Sequence, residues 1–268
     1  MKKIQYFLLS YEYFLYYFSL YNGDSMKDKS IWLDNYDSTK FPKLEENIEC
    51  DILIIGGGIT GISCGYFFKD CKKKIILVEA NSIATGTTGK STGKLTYLQD
   101  NMVNNIQTNY NSSIANLYIE SKKEAIRIAK KIIIDNNINC NLESVSSYIF
   151  STNNNKKKLR QNFNIYKHSS NVTKKQKVLP ISKQSFLTID ANDTYVFNPV
   201  KFCTELSKII SKKINIYEKT RIIDISTKNN HFIAKTSKNS IICKKIILAC
   251  NYPFVIVRCF FLFKTSIV

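Results

Sequence analysis

The sequence predicts an α/β fold built around a parallel sheet. A buried strand at 50–55, a turn of three glycines, a helix at 59–68 and a second buried strand at 74–79 follow one another within about thirty residues, the length of a strand–helix–strand unit. Both strands are short apolar runs rich in isoleucine, as expected for strands covered on both faces. The chain has 268 residues, 44% of them hydrophobic, so it can bury one large core or two smaller ones.

The segments after this unit begin with a loop at 85–96 that is rich in glycine, threonine, serine and lysine. Apolar and small residues at helical spacing then predict a long amphipathic helix that packs on the sheet through one face. That face consists of Ile114, Leu117, Tyr118, Ser121, Ala125, Ile128 and Ile132.

The second half of the chain predicts a mixture of strands and helices. Asn198 and Pro199 predict the start of a helix, because asparagine caps free N–H groups and proline suits the first helical position. The other predicted elements are a strand at 146–151, a polar turn at 153–158, a short helix at 159–166, a basic irregular segment at 174–184, and strands at 214–217, 221–226, 231–236 and 245–249.

The strongest motif is the glycine fingerprint that follows the first strand. Gly56 permits a tight turn, Gly58 lets a pyrophosphate approach the backbone, and Gly61 allows the helix to pack closely on the strand. The helix start offers free N–H groups and a partial positive charge to the pyrophosphate. Glu79, at the end of the second strand, accepts hydrogen bonds from ribose hydroxyls and repels a 2′-phosphate. The motif therefore predicts a Rossmann-type dinucleotide site and argues against NADP.

The fingerprint alone does not separate FAD from NAD, but the loop at 86–93 supplies further hydroxyls and N–H groups for a phosphate and ribityl chain. At this point the sequence resembles the FAD-dependent oxidoreductases of the D-amino-acid oxidase and glycine oxidase family, and most of all the bacterial branch in which some members carry a C-terminal Rieske domain. The resemblance runs from about 31 to 254. It is carried by the fingerprint with Glu79, the loop at 86–96, Ile31-Trp32-Leu33-Asp34, and the stretch 246–254.

The resemblance implies FAD as cofactor and a Rossmann-type FAD-binding domain with an inserted α+β substrate domain that is incomplete here. It also implies oxidation of a C–N bond in a small amine or amino acid: flavin N5 takes a hydride from the carbon that bears the amine, and the imine then hydrolyses. Carried over, the cofactor residues are Gly56, Gly58, Ile59 and Gly61 at the pyrophosphate, Glu79 at the ribose, Thr87, Thr88, Ser91 and Thr92 along the phosphate and ribityl path, the backbone of Ile222 at the adenine edge, and Ala249 where the last strand turns toward the cofactor.

No catalytic residue is assigned from the sequence. Tyr148, Tyr195, His168 and His231 have no partner that the sequence identifies, and a structural role is the better interpretation for each.

The predicted domain organisation places an N-terminal extension at 1–25, with Met26 as the true start. The FAD-binding domain occupies 26–135 and 196–254, a partial substrate domain occupies 136–195, and 255–268 is an apolar tail without a match. The family pattern continues well past 245–249, so the sequence is expected to be truncated at its C-terminus. The alternative function is a catalytically inactive remnant that binds only FAD or an adenine dinucleotide.

The formal net charge of +18 comes from scattered lysines, because only four of the 39 basic residues are arginines. Surfaces that recognise nucleic acid cluster their charge and use arginine for bidentate contacts, so no specific nucleic-acid partner is expected. A nucleic-acid-binding module is the third alternative, and it requires steep salt dependence together with sequence preference.

The eight cysteines show no CxxC spacing, and neither histidine lies near a cysteine cluster, so no metal site is predicted. Several cysteines lie within apolar segments, which indicates reduced thiols and a cytoplasmic protein. No membrane association is expected. The oligomeric state is left open. The stretch 84–91 also fits a loose phosphate-binding P-loop. No buried strand precedes it, and we interpret the match as coincidence.

Overall fold

The computed structural model describes residues 30–34, 38–151, 156–167, 172–178 and 185–250. The predicted extension at 1–25, the start at Met26, His168, the stretch 251–254 and the tail at 255–268 lie outside the described residues. Across the described ranges, no helix combines the length and apolar character needed to cross a membrane.

The secondary-structure elements follow one another in mixed order along the chain. The strands are β1 (Ile48–Ile55), β2 (Ile75–Val78), β3 (Lys94–Leu95), β4 (Glu143–Ser151), β5 (Val172–Val178), β6 (Ser185–Val196), β7 (Asn215–Tyr217), β8 (Asp224–Lys228), β9 (His231–Lys235) and β10 (Ser240–Leu248). The helices are α1 (Ile59–Phe68), α2 (Asp100–Asn109), α3 (Ser112–Asp135), α4 (Lys156–Tyr166) and α5 (Pro199–Ile210), with a 3₁₀ turn at Thr87–Lys90.

The first sheet has the strand order β7-β2-β1-β10-β9-β8. Strands β7, β2, β1 and β10 run parallel, whereas β9 and β8 are antiparallel additions at one edge. This parallel-dominated sheet with helices confirms the predicted α/β class. The predicted strand–helix–strand unit corresponds to β1, α1 and β2.

The first sheet is covered on both faces, which explains why its central strands are apolar throughout. On one face, Ile54 and Leu77 pack with Ile62 of α1 and Leu206 of α5. On the other face, the alternate strand residues pack against a cluster that includes Leu44, Ile222 and Ile225. The predicted helix start is confirmed, because the Asn198 side chain accepts hydrogen bonds from the first backbone N–H groups of α5.

The second sheet is antiparallel and is centred on β6, which pairs with β3, β4 and β5. Helices α2, α3 and α4 form a separate core with it that includes Tyr97, Ile119, Tyr166 and Ile189. The C-terminal end of α3 reaches the core of the first sheet through Ile132. The division into domains at 135/136 and 195/196 stays a prediction.

The buried face predicted for α3 is wrong over most of the helix. Ala115 and Ile119 are buried, whereas Ile114 and Leu117 are 43% and 66% exposed. Neighbouring residues of an α-helix point about 100° apart around the helix axis, so Ala115 lies on a different face from Ile114. Because the first part of α3 packs with α2 and α4 rather than on the parallel sheet, the inward face differs from the predicted one. Ile132 is the residue of the predicted set that is buried.

The basic segment predicted as irregular at 174–184 is also wrong in its described part, since 172–178 forms β5. This strand is held by antiparallel pairing with β6, and its lysine-rich sequence carries no apolar alternation that would predict it. The polar turn predicted at 153–158 is wrong from Lys156 onward, where α4 begins.

Candidate dinucleotide-binding site

A cleft of about 1040 Å³ opens at the carboxyl ends of β1, β2 and β10. This is the edge at which open parallel sheets bind ligands. Gly61 and Thr92 do not line the cleft. The predicted cofactor residues that do line it are Gly56, Gly58, Ile59, Glu79, Thr87, Thr88, Ser91, Ile222 and Ala249.

The glycine turn after β1 is closed against the end of β10. Gly56 has a φ of +116°, and a Cβ there would lie 2.6 Å from the carbonyl oxygen of Ala249. Both constraints require glycine. A Cβ at Gly61 would overlap the carbonyl oxygen of Gly56, so Gly61 allows the first turn of α1 to pack beneath the glycine turn.

Helix α1 begins at the cleft with Gly58 as its N-cap and Ile59 as its first residue. The backbone N–H of Ile59 donates to the hydroxyl oxygen of Thr88 at 3.0 Å. Within Ile59–Phe68, the first turn carries no acidic side chain. The partial positive charge of the helix N-terminus is therefore directed into the cleft without a carboxylate on the helix to neutralise it.

The carboxylate of Glu79 is held in place by two backbone donors. One oxygen accepts from the N–H of Gly57 at 2.7 Å, and the other accepts from the N–H of Asn81 at 2.8 Å. Each carboxylate oxygen can accept more than one hydrogen bond. The group is thus oriented by the protein and can still accept hydrogen bonds from hydroxyl donors in the cleft.

The 3₁₀ turn at Thr87–Lys90 lines the cleft beside the start of α1. Thr88 is buried in this turn, and a Cβ at Gly58 would lie 3.0 Å from its hydroxyl oxygen. The indole N–H of Trp32 donates to the carbonyl oxygen of Ser91 at 2.8 Å. The N-terminal segment therefore anchors the loop that covers the glycine turn.

A second carboxylate, Glu218, lies directly after β7 and is 2% exposed. It accepts hydrogen bonds from the hydroxyl of Thr39 at 2.5 Å, the N–H of Phe41 at 3.1 Å and the N–H of Ile83 at 2.6 Å. This buried carboxylate joins the N-terminal segment and the loop after β2 to the edge of the sheet. Glu218 is not among the site residues predicted from the sequence.

Several lining residues were also missed by the sequence analysis: Asn81, Thr220, Arg221, Ile223 and Cys250. A signal was available, because each follows the carboxyl end of β2, β7 or β10, where ligand contacts concentrate in parallel sheets. The tyrosine and histidine candidates with described positions, Tyr148, Tyr195 and His231, are not among the residues that line this cleft.

The residues of the cleft fit a dinucleotide. Gly56 and Gly58 line the cleft with backbone and no side chain, the helix start attracts an anion, and Glu79 accepts hydroxyls. The cleft is as large as the upper range for small-molecule sites, about 1,000 Å³.

A family model described as "FAD dependent oxidoreductase" (DAO) matches residues 51–256. The chain belongs to this family. FAD, the predicted cofactor, is the cofactor of the family.

A relative in Bacillus subtilis (strain 168), described as a Rieske 2Fe-2S iron-sulfur protein, YhfW, is 30% identical over 228 residues, which cover 84% of this chain and 45% of the relative. This relative confirms the predicted resemblance to the Rieske-containing branch.

Solved structures share the fold. Glycine oxidase from Geobacillus kaustophilus is 15% identical with a TM-score of 0.61, and the match covers 75% of this chain and 55% of that one. L-amino acid deaminase from Proteus myxofaciens, solved in complex with anthranilate, is 14% identical with a TM-score of 0.64 over 79% of this chain and 48% of that one. At these identities the structures show the fold alone. The chain spans about half the length of the relatives it matches.

Proposed function

We propose that this chain binds FAD with the ADP half in the cleft at the carboxyl ends of β1, β2 and β10. The observation that carries the proposal is the start of α1, where Gly58 and Ile59 line the same cleft as the oriented carboxylate of Glu79. The helix start attracts the pyrophosphate, and the carboxylate accepts the ribose hydroxyls.

The remaining predicted residues take supporting roles in this proposal. Thr87, Thr88 and Ser91 line the wall along the phosphate and ribityl path, and Ile222 lies at the adenine end. Gly61 acts through packing of α1, while Thr92, which is exposed beside Ser91, stays a prediction.

We further propose that the whole protein oxidises the C–N bond of a small amine or amino acid. Family membership supports an oxidoreductase, and the glycine oxidase and L-amino acid deaminase folds support an amino-acid substrate. When bound, FAD supplies the hydride acceptor. The residues of this chain hold and orient the ADP half, and the loop anchored by Trp32 contributes Thr87, Thr88 and Ser91 to the same cleft.

A second candidate function is binding without turnover. It is the alternative that the sequence leaves open, and the described residues supply the ADP-binding cleft that it requires. In this case the chain retains the ADP-binding cleft and holds FAD or another adenine dinucleotide without oxidising a substrate.

The deciding experiment is an absorbance spectrum of the purified chain from the near ultraviolet to the visible, with and without added FAD. We expect flavin bands that remain with the protein after gel filtration. A chain that stays colourless and takes up no added FAD contradicts the cofactor proposal. Anaerobic mixing of the flavin-loaded chain with amino acids then separates the two functions, because substrate oxidation bleaches the flavin band and binding alone leaves it unchanged.

A further inference from the structure

A second cavity, of about 520 Å³, lies between the C-terminal half of α3 and the end of β6. It shares no lining residue with the dinucleotide cleft. Its volume falls within the range of small-molecule sites, about 300–1,000 Å³. The cavity is lined by side chains of the C-terminal half of α3 together with Tyr97, Asp193 and Tyr195.

The apolar part of this cavity is built from aromatic and aliphatic side chains. Ile126 and Tyr97 are buried, and the Tyr97 hydroxyl donates to the backbone carbonyl of Asn192 at 2.9 Å. Burial raises the pKa of Tyr97 to about 12, so its phenol is neutral at physiological pH. Ile134 extends the apolar surface to the rim, where it is 64% exposed.

The charged part of the cavity carries four cations and two carboxylates. Three of the cations are already paired along the helix. Arg127 holds Glu124 through two hydrogen bonds of 2.5 and 2.7 Å, and Lys131 lies 2.7 Å from Asp135. Lys123 pairs with Glu120 at 3.3 Å.

Lys130 differs from these three cations. Its ammonium donates to the hydroxyl of Tyr195 at 2.5 Å and lies 4.4 Å from the centre of that ring. Across the described ranges, Lys130 forms no ion pair with a carboxylate. An ammonium has three donors, so two remain for an anion. Lys130 is half-buried, which strengthens its attraction for an anion relative to an exposed lysine.

We propose that this cavity binds a small organic carboxylate with a flat apolar body. The carboxylate pairs with Lys130, and the body lies between the Tyr195 ring and Ile126. A compact ammonium beside a phenol hydroxyl suits one carboxylate group, and the aromatic and aliphatic walls favour a planar carbon skeleton. The proposal concerns a site separate from the cleft and does not depend on FAD binding.

The test uses ¹⁹F NMR with 4-fluorobenzoate as the probe and 4-fluorobenzamide as its neutral counterpart. We expect saturable broadening of the benzoate signal and binding of the benzamide that is weaker by about tenfold or more. Lys130→Met is expected to weaken benzoate binding about tenfold. Lys208→Met removes an exposed lysine of α5 and serves as the matched control, with affinity unchanged.

A third variant separates loss of charge from loss of folding. Lys130→Arg keeps the positive charge but not the compact ammonium, and it is expected to bind benzoate more tightly than Lys130→Met and less tightly than the unchanged protein. Equal affinity for benzoate and benzamide overturns the proposal, and so does equal benzoate affinity in Lys130→Met and Lys208→Met. Displacement of the probe by ADP overturns it as well, because the probe then occupies the dinucleotide cleft.

Discussion

Two carboxylates at neighbouring strand ends show how position determines the role of one residue type. Glu79 follows β2 and lines the cleft, whereas Glu218 follows β7 and is buried. Both accept backbone N–H groups, but only Glu79 has room for a ligand beside it. Glu79 is therefore expected to affect binding more than stability, and Glu218 to affect stability first.

Glu79→Gln is expected to weaken FAD binding about tenfold or more, because hydrogen bonds to a charged group contribute about 1.5–3 kcal/mol. The amide keeps the size of the carboxylate but replaces one acceptor oxygen with a donor. FAD fluorescence titration measures the change. Glu49→Gln, on an exposed position of β1, is the matched control and should leave the Kd unchanged. Similar Kd values for the two variants would show that Glu79 does not contact the ribose.

Glu218→Ala is expected to lower the free energy of unfolding by about 3 kcal/mol, since each buried donor left without an acceptor costs about 1–3 kcal/mol. Thr39, Phe41 and Ile83 all lose their hydrogen bond to this carboxylate in the variant. Urea denaturation followed by circular dichroism provides the measurement. Glu205→Ala, at a partly exposed position of α5, should change stability by less than about 0.5 kcal/mol. A loss for Glu218→Ala as small as this would mean that the buried hydrogen bonds are replaced by water.

At the scale of elements, the start of α1 depends on a contact that tolerates no side chain. Gly61→Ala places a methyl group against the carbonyl of Gly56, so α1 must move away from the glycine turn. We expect a lower melting temperature and loss of FAD binding. Ser63→Ala is the matched control, because it introduces alanine at a partly exposed position of α1 that does not line the cleft. Unchanged FAD affinity in Gly61→Ala would contradict this account of the glycine.

A second prediction at this scale follows from the face of α3 that the structure buries. Ile126→Ala removes a buried side chain and is expected to destabilise the protein by about 2–5 kcal/mol. Leu117→Ala removes a side chain that is 66% exposed and should change stability by less than about 0.5 kcal/mol. Urea titrations of the two variants compare the faces directly, and a larger effect at Leu117 would support the face that the apolar spacing predicted.

Elements buried on both sides could be predicted from the sequence, and those stabilised by partners could not. Strands β1 and β2 are continuous apolar runs, and Asn198 with Pro199 caps α5 through local hydrogen bonds. In contrast, β5 is a lysine-rich segment that becomes a strand only through pairing with β6. The inward face of α3 depends on α2, which the sequence analysis did not identify.

The same distinction applies to the site. The backbone conformation of the turn after β1 requires glycine at Gly56, where φ is positive. Because this requirement arises within a few consecutive residues, the sequence motif reveals it. Glu218 and Arg221 depend on which strands become neighbours, because they join the site or its support only when β7 pairs with β2. Motif spacing predicts contacts within one strand–helix–strand unit. It does not predict which strands from later in the sequence will pair with that unit.

At the scale of the whole molecule, the cleft combines residues from 55–91 with residues from 220–250. The thiol of Cys250 can be used to detect a ligand in the cleft, because Cys250 lines it. Burial raises the pKa of this thiol. We expect alkylation of Cys250 to slow about tenfold when FAD is present at ten times its Kd. Peptide mapping by mass spectrometry follows each thiol, and the exposed Cys71 is an internal control whose rate should not change. Equal rates at Cys250 with and without FAD would place the cofactor elsewhere.

The pairing of β1 with β10 also has a consequence for synthesis on the ribosome. Asp51 and Lys244 form an ion pair between these strands although 193 residues separate them in the chain. Translation adds about 5–20 residues per second, so one edge of β1 lacks its partner for many seconds before β10 emerges. An unpaired apolar strand is a target for chaperones and for aggregation. Because Ala249 closes the glycine turn, nascent chains can capture a cofactor only after nearly all of the described sequence has been made.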